Sequence, residues 1–263
     1  MHTQTITSVN DASAANFRVF EQKIFEKLQK RSLNEQLLPF SVQIVQSAEE
    51  LEEAINIRQS AYGRHLPELA QKLGKPEAAD FEPGSVVFLA KSKLDDSALG
   101  TARLQTNEFA PLPMEASVEL PERFTSTRLC EVSRLGVQTG SIGRAVKVAL
   151  VKALFEYCEA TGIEYAMLVA RSPIDRQYAQ LMFEDVFPEA GFIPMRHVGN
   201  LPHRVMQFEI ATGEARWAAA KHPLLSYFRQ TFHPDIRIDR DVTPTQLERI
   251  WLDEQAEPLL RMA

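Results

Sequence analysis

The sequence predicts an α/β fold of three layers, a mixed central sheet with helices on both faces. The order of hydrophobic patterns is strand, helix, loop, hairpin, strand, long helix, strand, helix, hairpin, and such an order packs as one α/β unit. Ile163 to Ala170 is an almost uninterrupted apolar run, which suits a central strand covered on both faces. Arg144 to Glu159 is apolar nearly all round, interrupted only by Arg144, Lys147, Lys152 and Glu156, as a helix laid along such a sheet requires.

The elements come in the following order. Residues 1–16 are polar and read as a loose tail. Phe17, Phe20, Ile24, Phe25 and Leu28 then share one helical face, with Glu21, Lys23, Lys27 and Lys30 largely off it. These mixed charges favour docking on the main domain over a membrane surface. Phe40 to Val45 alternates as a strand, and Ser47-Ala-Glu-Glu50 is a capping box whose helix runs to about Tyr62, burying Leu51, Ala54 and Ile55. Residues 63–84 read as a helix fragment and a mobile loop. Ser85 to Ser92 and Leu99 to Thr106 form a hairpin across an Asp-Asp-Ser turn.

A polar, proline-rich connection leads from Asn107 to the next strand, Arg128 to Gln138. Thr161-Gly162 ends the long helix, and Ser172-Pro-Ile-Asp175 opens another with Ser as its N-cap. Gly191 to His197 and Arg204 to Ile210 are expected to pair as a final hairpin. Ala211 to about Thr231 reads as a helix, and Thr243-Pro-Thr-Gln246 caps a last one carrying Leu247, Ile250, Trp251 and Leu252. The division expected is a tail and amphipathic helix over 1–38, a main domain over 39–211, and a helical C-terminal extension over 212–263.

With 44% apolar and 24% charged residues the chain has the balance of a soluble globular protein. Its net charge of −6 argues against nonspecific nucleic-acid binding, and an acidic partner needs a local basic patch. Cys130 and Cys158 are the only cysteines, and their apolar surroundings suit reduced core thiols. No apolar run approaches the roughly 20 residues of a membrane helix, and the first residues hold no signal-peptide core. A cytoplasmic location without an integral membrane segment is expected.

The chemistry concentrates where Glu131-Val-Ser-Arg-Leu135 runs through the turn Gln138-Thr-Gly140-Ser-Ile-Gly143 into the long helix. Such a corner aims backbone N–H groups and the positive helix end at its occupant. The element order and this turn resemble the GNAT acyltransferase superfamily, with the first glycine displaced by one. Glu131-Val-Ser133-Arg134-Leu135 is similar to a segment of the LuxI-type acyl-homoserine-lactone synthases and the FeeM-type N-acyl amino acid synthases. Gly100-Thr-Ala-Arg103-Leu104 resembles their Gly-x-x-Arg-Leu strand, Asp80-Phe81 their acidic-aromatic pair, and Arg58 their early arginine. The resemblance covers roughly residues 40–210. It implies a GNAT-like fold, and it favours the N-acyl amino acid synthases because residues 63–80 lack a tryptophan-containing stretch.

That resemblance implies transfer of a long-chain acyl group from a phosphopantetheine thioester to the amine of an amino acid. The donor is expected on acyl carrier protein in preference to CoA, with no permanently bound cofactor and no metal. Glu131 is then the base, flanked by Arg134 and Arg103. Structural pairing of Glu131 with either arginine is the plainer alternative, as is an ion-pair network of the arginines with Asp80 or Glu131. In a regular strand Arg134 faces away from Glu131, so the two share a site only across a bulge. Val137, Thr139, Gly140, Ile142, Gly143, Arg144 and Lys147 are expected around the pantetheine phosphate, and Arg58, Asp80 and Phe81 around the substrate.

Tyr178 is a candidate acid for the leaving thiolate or an aromatic packing residue. His197 and His203, lacking a carboxylate or cysteine partner in the pattern, do not suggest zinc. Val86, Phe88, Leu104, Leu129, Met167 and Phe183 are candidates for an acyl tunnel or ordinary core. The other readings are a homoserine-lactone synthase using S-adenosylmethionine, a CoA-dependent acetyltransferase, and an inactive acyl- or carrier-binding module.

Overall fold

Alternation along the strands decides the architecture of the computed structural model, which describes residues 34–260, with side chains to residue 255. The amphipathic helix expected over Phe17 to Leu28 lies outside the described residues. Strands β1 (Asn34–Glu35) and β2 (Phe40–Ile44) precede helices α1 (Ala48–Gly63) and α2 (Pro67–Lys72) and a 3-10 turn, Ala78–Asp80. Strands β3 (Ser85–Ser92) and β4 (Ala98–Thr106) form the expected hairpin, and 3-10 turns punctuate the way to β5 (Leu129–Val137). Helix α3 (Gly140–Thr161) returns the chain to β6 (Tyr165–Ala170). Next come α4 (Asp175–Gln180), β7 (Glu184–Asp185), β8 (Ile193–Met195) and β9 (Leu201–Glu209). Helix α5 (Gly213–Ala219), a π-helical turn (Ser226–Gln230), β10 (Thr231–Phe232) and α6 (Pro244–Leu260) complete the described residues.

The eight-stranded sheet has the order β2-β3-β4-β5-β6-β9-β7, with β8 on β9. Within it β5 and β6 pair in parallel, the crossover being α3. Phe88, Leu104, Cys130, Leu168 and Phe208 point to one face, where they meet Val146, Leu150 and Leu154 of α3. On the other face Val87 and Leu89 pack with Leu51, Ala54 and Ile55 of α1. Beside that patch, Leu129, Met167 and Val205 pack with Leu112 and Met114 of the 107–128 connection. Each large side chain so buried contributes about 1.5–3 kcal/mol, and a slip of one residue would expose a whole face, so the register is firmly set. The three-layer mixed α/β fold expected from the sequence is the one observed.

Local signals hold at most helix ends. Ser47 Oγ accepts from Glu50 N at 3.1 Å, while the Glu50 carboxylate reaches one residue beyond the cap, to Gln46 N at 2.8 Å. Thr243 and Gln246 make the reciprocal box in full. Ser172 does not cap, because α4 begins only at Asp175 and has no side-chain cap.

Two longer expectations are corrected. The final hairpin pairs β8 only with the start of β9, Ile193 with His203 and Met195 with Leu201. Arg204 to Glu209 pairs instead with β6, because Val205, Met206 and Phe208 are apolar enough to be buried inside the sheet. The helix expected from Ala211 to Thr231 stops at Ala219, shortly before Pro223, which has no amide hydrogen to donate.

The segment after α5 is fastened to α3 and the sheet edge. Trp217 stacks on Phe228 with centroids 5.0 Å apart and meets Phe155 of α3 at 5.2 Å. Val42 N donates to Asp235 O and Arg237 N to Val42 O, both at 2.8 Å, which covers the open edge of β2. Lys152, buried on α3, donates to Thr231 O at 2.6 Å, Tyr227 O at 2.9 Å and His233 Nδ1 at 2.8 Å. Burial pulls the Lys152 amine down. Burial, aided by the Lys152 charge, pushes His233 down to about 4, so His233 is a neutral acceptor. Lys152→Met is therefore expected to strand buried acceptors, at about 1–3 kcal/mol each. Hydrogen exchange should rise across residues 226–236 ahead of the sheet.

Among the described residues no helix is long and apolar enough to cross a membrane. Cys130 and Cys158 are buried free thiols with sulfurs 3.6 Å apart.

Candidate active site

A bulge in β5 assembles the site. Arg103 pairs with Ser133 and Thr101 with Gly136, so one residue of β4, Ala102, faces two of β5, Arg134 and Leu135. Arg134 takes φ +55, a left-handed conformation uncommon for a non-glycine residue and persisting only where surroundings hold it. The extra residue reverses the alternation. Arg134 turns onto the α1 face, the face of Glu131, and Leu135 packs into the α3 cluster. Gly136 lets α1 approach: a Cβ there would lie 2.9 Å from Ala61 Cβ.

A buried network of guanidinium groups and carboxylates holds Arg134. Arg58 grips Asp80 with two bonds of 3.0 Å. Arg103 Nη1 donates to Asp80 Oδ1 and Glu77 Oε2, each at 3.0 Å. Arg134 grips Glu77 through Nε and Nη2, both at 2.7 Å. The 3-10 turn presets the acids, since Asp80 Oδ2 accepts from Glu77 N at 2.9 Å. Burial alone would raise the carboxyl of Asp80, but Arg58 and Arg103 outweigh it and hold Asp80 below the usual range. Glu77 is likewise held low against burial by its bonds to Arg134 and the charges of Arg103 and Arg58. Three guanidinium groups face two carboxylates, an excess of one positive charge, and Arg103 Nε has no acceptor among the described residues.

Glu131 lies on the same face, with no exposed side-chain surface. Its Oε2 accepts from Met114 N at 2.8 Å, and His197 Nε2 stands 2.9 Å from its Oε1. That contact lies off the axis of a hydrogen bond, so Oε1 and both ring nitrogens have no hydrogen-bond partner among the described residues. The carbonyl of His197 accepts a 3.4 Å contact from Arg134 Nη2. Glu131 and Arg134 are thus joined through one residue of the turn between β8 and β9. His203 faces elsewhere, with Nδ1 2.7 Å from Leu201 O.

Pairing of β5 with β6 ends at Val132 and Leu168. Beyond it the strands diverge, β5 following β4 and β6 following β9, which opens the sheet where α3 begins. Helix α3 starts at Gly140 without a side-chain cap, and Thr139, Gly140 and Ser141 are exposed, so its first N–H groups face outward. Gly140 has φ +85 and open space around it, whereas a Cβ on Gly143 would fall 1.7 Å from Gln138 O. Gly143→Ala is expected to displace that carbonyl and cost about 1–3 kcal/mol by denaturant unfolding.

Of the other residues expected around the phosphate, Arg144 is exposed, and Val137 and Ile142 pack against the core. Lys147 bonds Gln177 of α4 rather than flanking the turn. Arg64, which no sequence pattern singles out, reaches the turn instead and donates to Val137 O at 2.7 Å.

Phe81 is not brought into this cluster and packs beside α1. The six tunnel candidates are divided between the faces of the sheet: Val86, Phe88, Leu104 and Phe183 lie on the α3 face, Leu129 and Met167 on the other. An apolar cavity does exist between the diverging strands and α3, lined by Val132, Leu135, Leu154, Leu168, Tyr178 and Phe183. Burial there pushes the Tyr178 phenol up.

Besides Arg64, Glu77 and His197 are the site residues that sequence reasoning misses. Glu77 sits in a stretch without periodicity, and the pattern around His197 raises only the question of a metal ligand.

No family model and no curated protein matches the sequence. Solved structures do. The N-acyl amino acid synthase FeeM from uncultured soil microbes aligns with TM-score 0.52 at 16% identity, over 72% of this chain and 97% of that one. The CoA-dependent acyl-homoserine lactone synthase BjaI, solved with MTA, aligns with TM-score 0.51 at 17% identity, over 81% of this chain and 99% of that one. The chain has the GNAT-like fold that these two synthases share.

Proposed function

We propose that this protein is an N-acyltransferase that moves a long-chain fatty acyl group from the phosphopantetheine thioester of acyl carrier protein to the amine of an amino acid. The observation that carries the reading is the β5 bulge. It turns Arg134, one of three guanidinium groups that face two carboxylates, onto the face of Glu131 near the point where β5 and β6 diverge. A guanidinium cluster with an unbonded N–H, that of Arg103 Nε, suits an amino-acid carboxylate. Glu131 is the carboxylate that draws the proton from the amine, directly or through a neighbouring group, since only the neutral amine attacks a thioester. The exposed start of α3, with Arg144 and Arg64, suits the phosphate of the pantetheine arm.

The acyl chain belongs in the apolar cavity between β5, β6 and α3. That cavity now has about 20 Å3 of free space, against the ~150 Å3 void that admits a benzene. Acyl entry therefore requires β5 and β6 to part further.

The deciding experiment offers acyl carrier protein and acyl-CoA of graded chain length with a pool of amino acids, and identifies products by mass spectrometry. An N-acyl amino acid formed from the carrier supports the proposal, and the same product from acyl-CoA alone changes the donor. The likeness to BjaI carries a second reading, an acyl-homoserine lactone from S-adenosylmethionine. Failure to form any N-acyl product rejects both.

A further inference from the structure

We infer that His197 is the group that takes the proton from the acceptor amine, and that Glu131 is its positioning residue. The inference deepens the proposed N-acyltransferase reading and rests on it. A base must come within hydrogen-bond reach of the proton it removes. Glu131 has no exposed side-chain surface, one oxygen is taken by the Met114 amide, and the other is faced by His197, whose side chain is 15% exposed. The carboxylate therefore lies behind the imidazole, whose exposed surface is carbon, both ring nitrogens being buried.

The ring is equipped for the task. In the tautomer with the proton on Nε2, the nitrogen beside Glu131, the lone pair is on Nδ1, which is itself buried and has no partner among the described residues, so an amine meets it only when the turn between β8 and β9 shifts. A base oriented by a third group is the arrangement that activates nucleophiles in unrelated folds. The off-axis 2.9 Å contact is the looser geometry such pairs show before substrate tightens them. Imidazole is the side chain whose ordinary titration lies nearest neutrality. Its charged and titratable neighbours are Glu131 and Arg134 on β5 and His203 on β9. The Arg134 contact with the His197 carbonyl ties base and carboxylate-binding group together, as an amino acid carrying both groups on one carbon requires.

The step balances. An ammonium proton passes to Nδ1, and the amine nitrogen bonds the thioester carbonyl carbon. The tetrahedral intermediate collapses, the carbon–sulfur bond breaks, and the thiolate leaves with the second nitrogen-bound proton. The imidazolium then returns its proton to water, so ammonium and thioester give amide, thiol and one proton.

The test compares the wild-type chain with His197→Gln, His197→Asn and Glu131→Gln, each checked by thermal melting. Both His197 variants should lose roughly 10²–10⁴-fold in kcat, with the KM for acyl donor held within about 3-fold. They should also lose the acidic limb of the rate profile. In 15N spectra of the imidazoles, the His197 resonances, identified by their loss in His197→Gln, should move in Glu131→Gln. Near-normal rates with the limb intact in both His197 variants, beside an inactive Glu131→Gln, overturn the assignment alone, as do imidazole resonances indifferent to Glu131→Gln. A wild-type chain that acylates no amine from any donor overturns the enzymatic reading, and this assignment with it.

Discussion

Glu131→Gln is expected to lower the rate of amide formation by roughly 10²–10⁴-fold while leaving the fold intact. Glutamine has nearly the same volume, and its oxygen can still accept from Met114 N, the 2.8 Å bond that anchors Glu131 to the connection. The loss is the negative charge 2.9 Å from His197. Because the one hydrogen bond that Glu131 makes, from Met114 N, is kept, the melting temperature should move little. Initial rates with carrier-bound donor, set beside a melting curve, make the check. An isolated loss of rate assigns Glu131 to chemistry, whereas a loss of stability without loss of specific activity assigns it to structure.

Asp80→Ala is expected to be the most destabilising change near the site, by about 3–5 kcal/mol, because it removes the acid from a buried pair. Arg58 has no exposed side-chain surface and would keep only a 3.4 Å contact with Glu77. Arg103 would keep Glu77 as well, so one carboxylate would face three guanidinium groups. Urea unfolding measures the loss, and a smaller loss in the double variant Arg58→Met/Asp80→Ala would locate the cost in the orphaned charge.

The same network sets the acid limit of stability. The folded carboxyls of Asp80 and Glu77 titrate below their ordinary values of 3.8 and 4.5, so the unfolded chain binds protons first as the pH falls. Their contribution is complete above the ordinary carboxylate range. It declines as the pH falls from there towards the depressed folded values, below which it is gone. In Asp80→Ala the acid-side slope of stability should be shallower, as unfolding measured at about pH 5 and about pH 3, either side of the ordinary carboxylate range, would record.

Much of this was legible in the sequence because the signals were local. The apolar run before Ala170 marked a strand buried on both faces, and the segment after Gly140 marked the helix over it. Glu131-Val-Ser-Arg134 marked the strand that carries the candidate site. Signals that depend on a distant partner misled. Arg204 to Glu209 reads as well as a hairpin arm as it does as a partner for β6, and only the vacant edge of β6 decides between them. Leu129 and Leu104 look interchangeable as tunnel residues until pairing puts them on opposite faces of the sheet.

By itself, then, the sequence determined the layers and the order of elements, because periodicity and capping act over a few residues, and its resemblance pointed to the strand that carries the candidate site. The tertiary structure decided the direction of Arg134, since a bulge is a mismatch between two strands and is written in neither alone. It also decided that Glu77 would hold that arginine and that His197 would meet Glu131. Those contacts span 57 and roughly 66 residues of chain, and only packing of the finished sheet closes loops of that length.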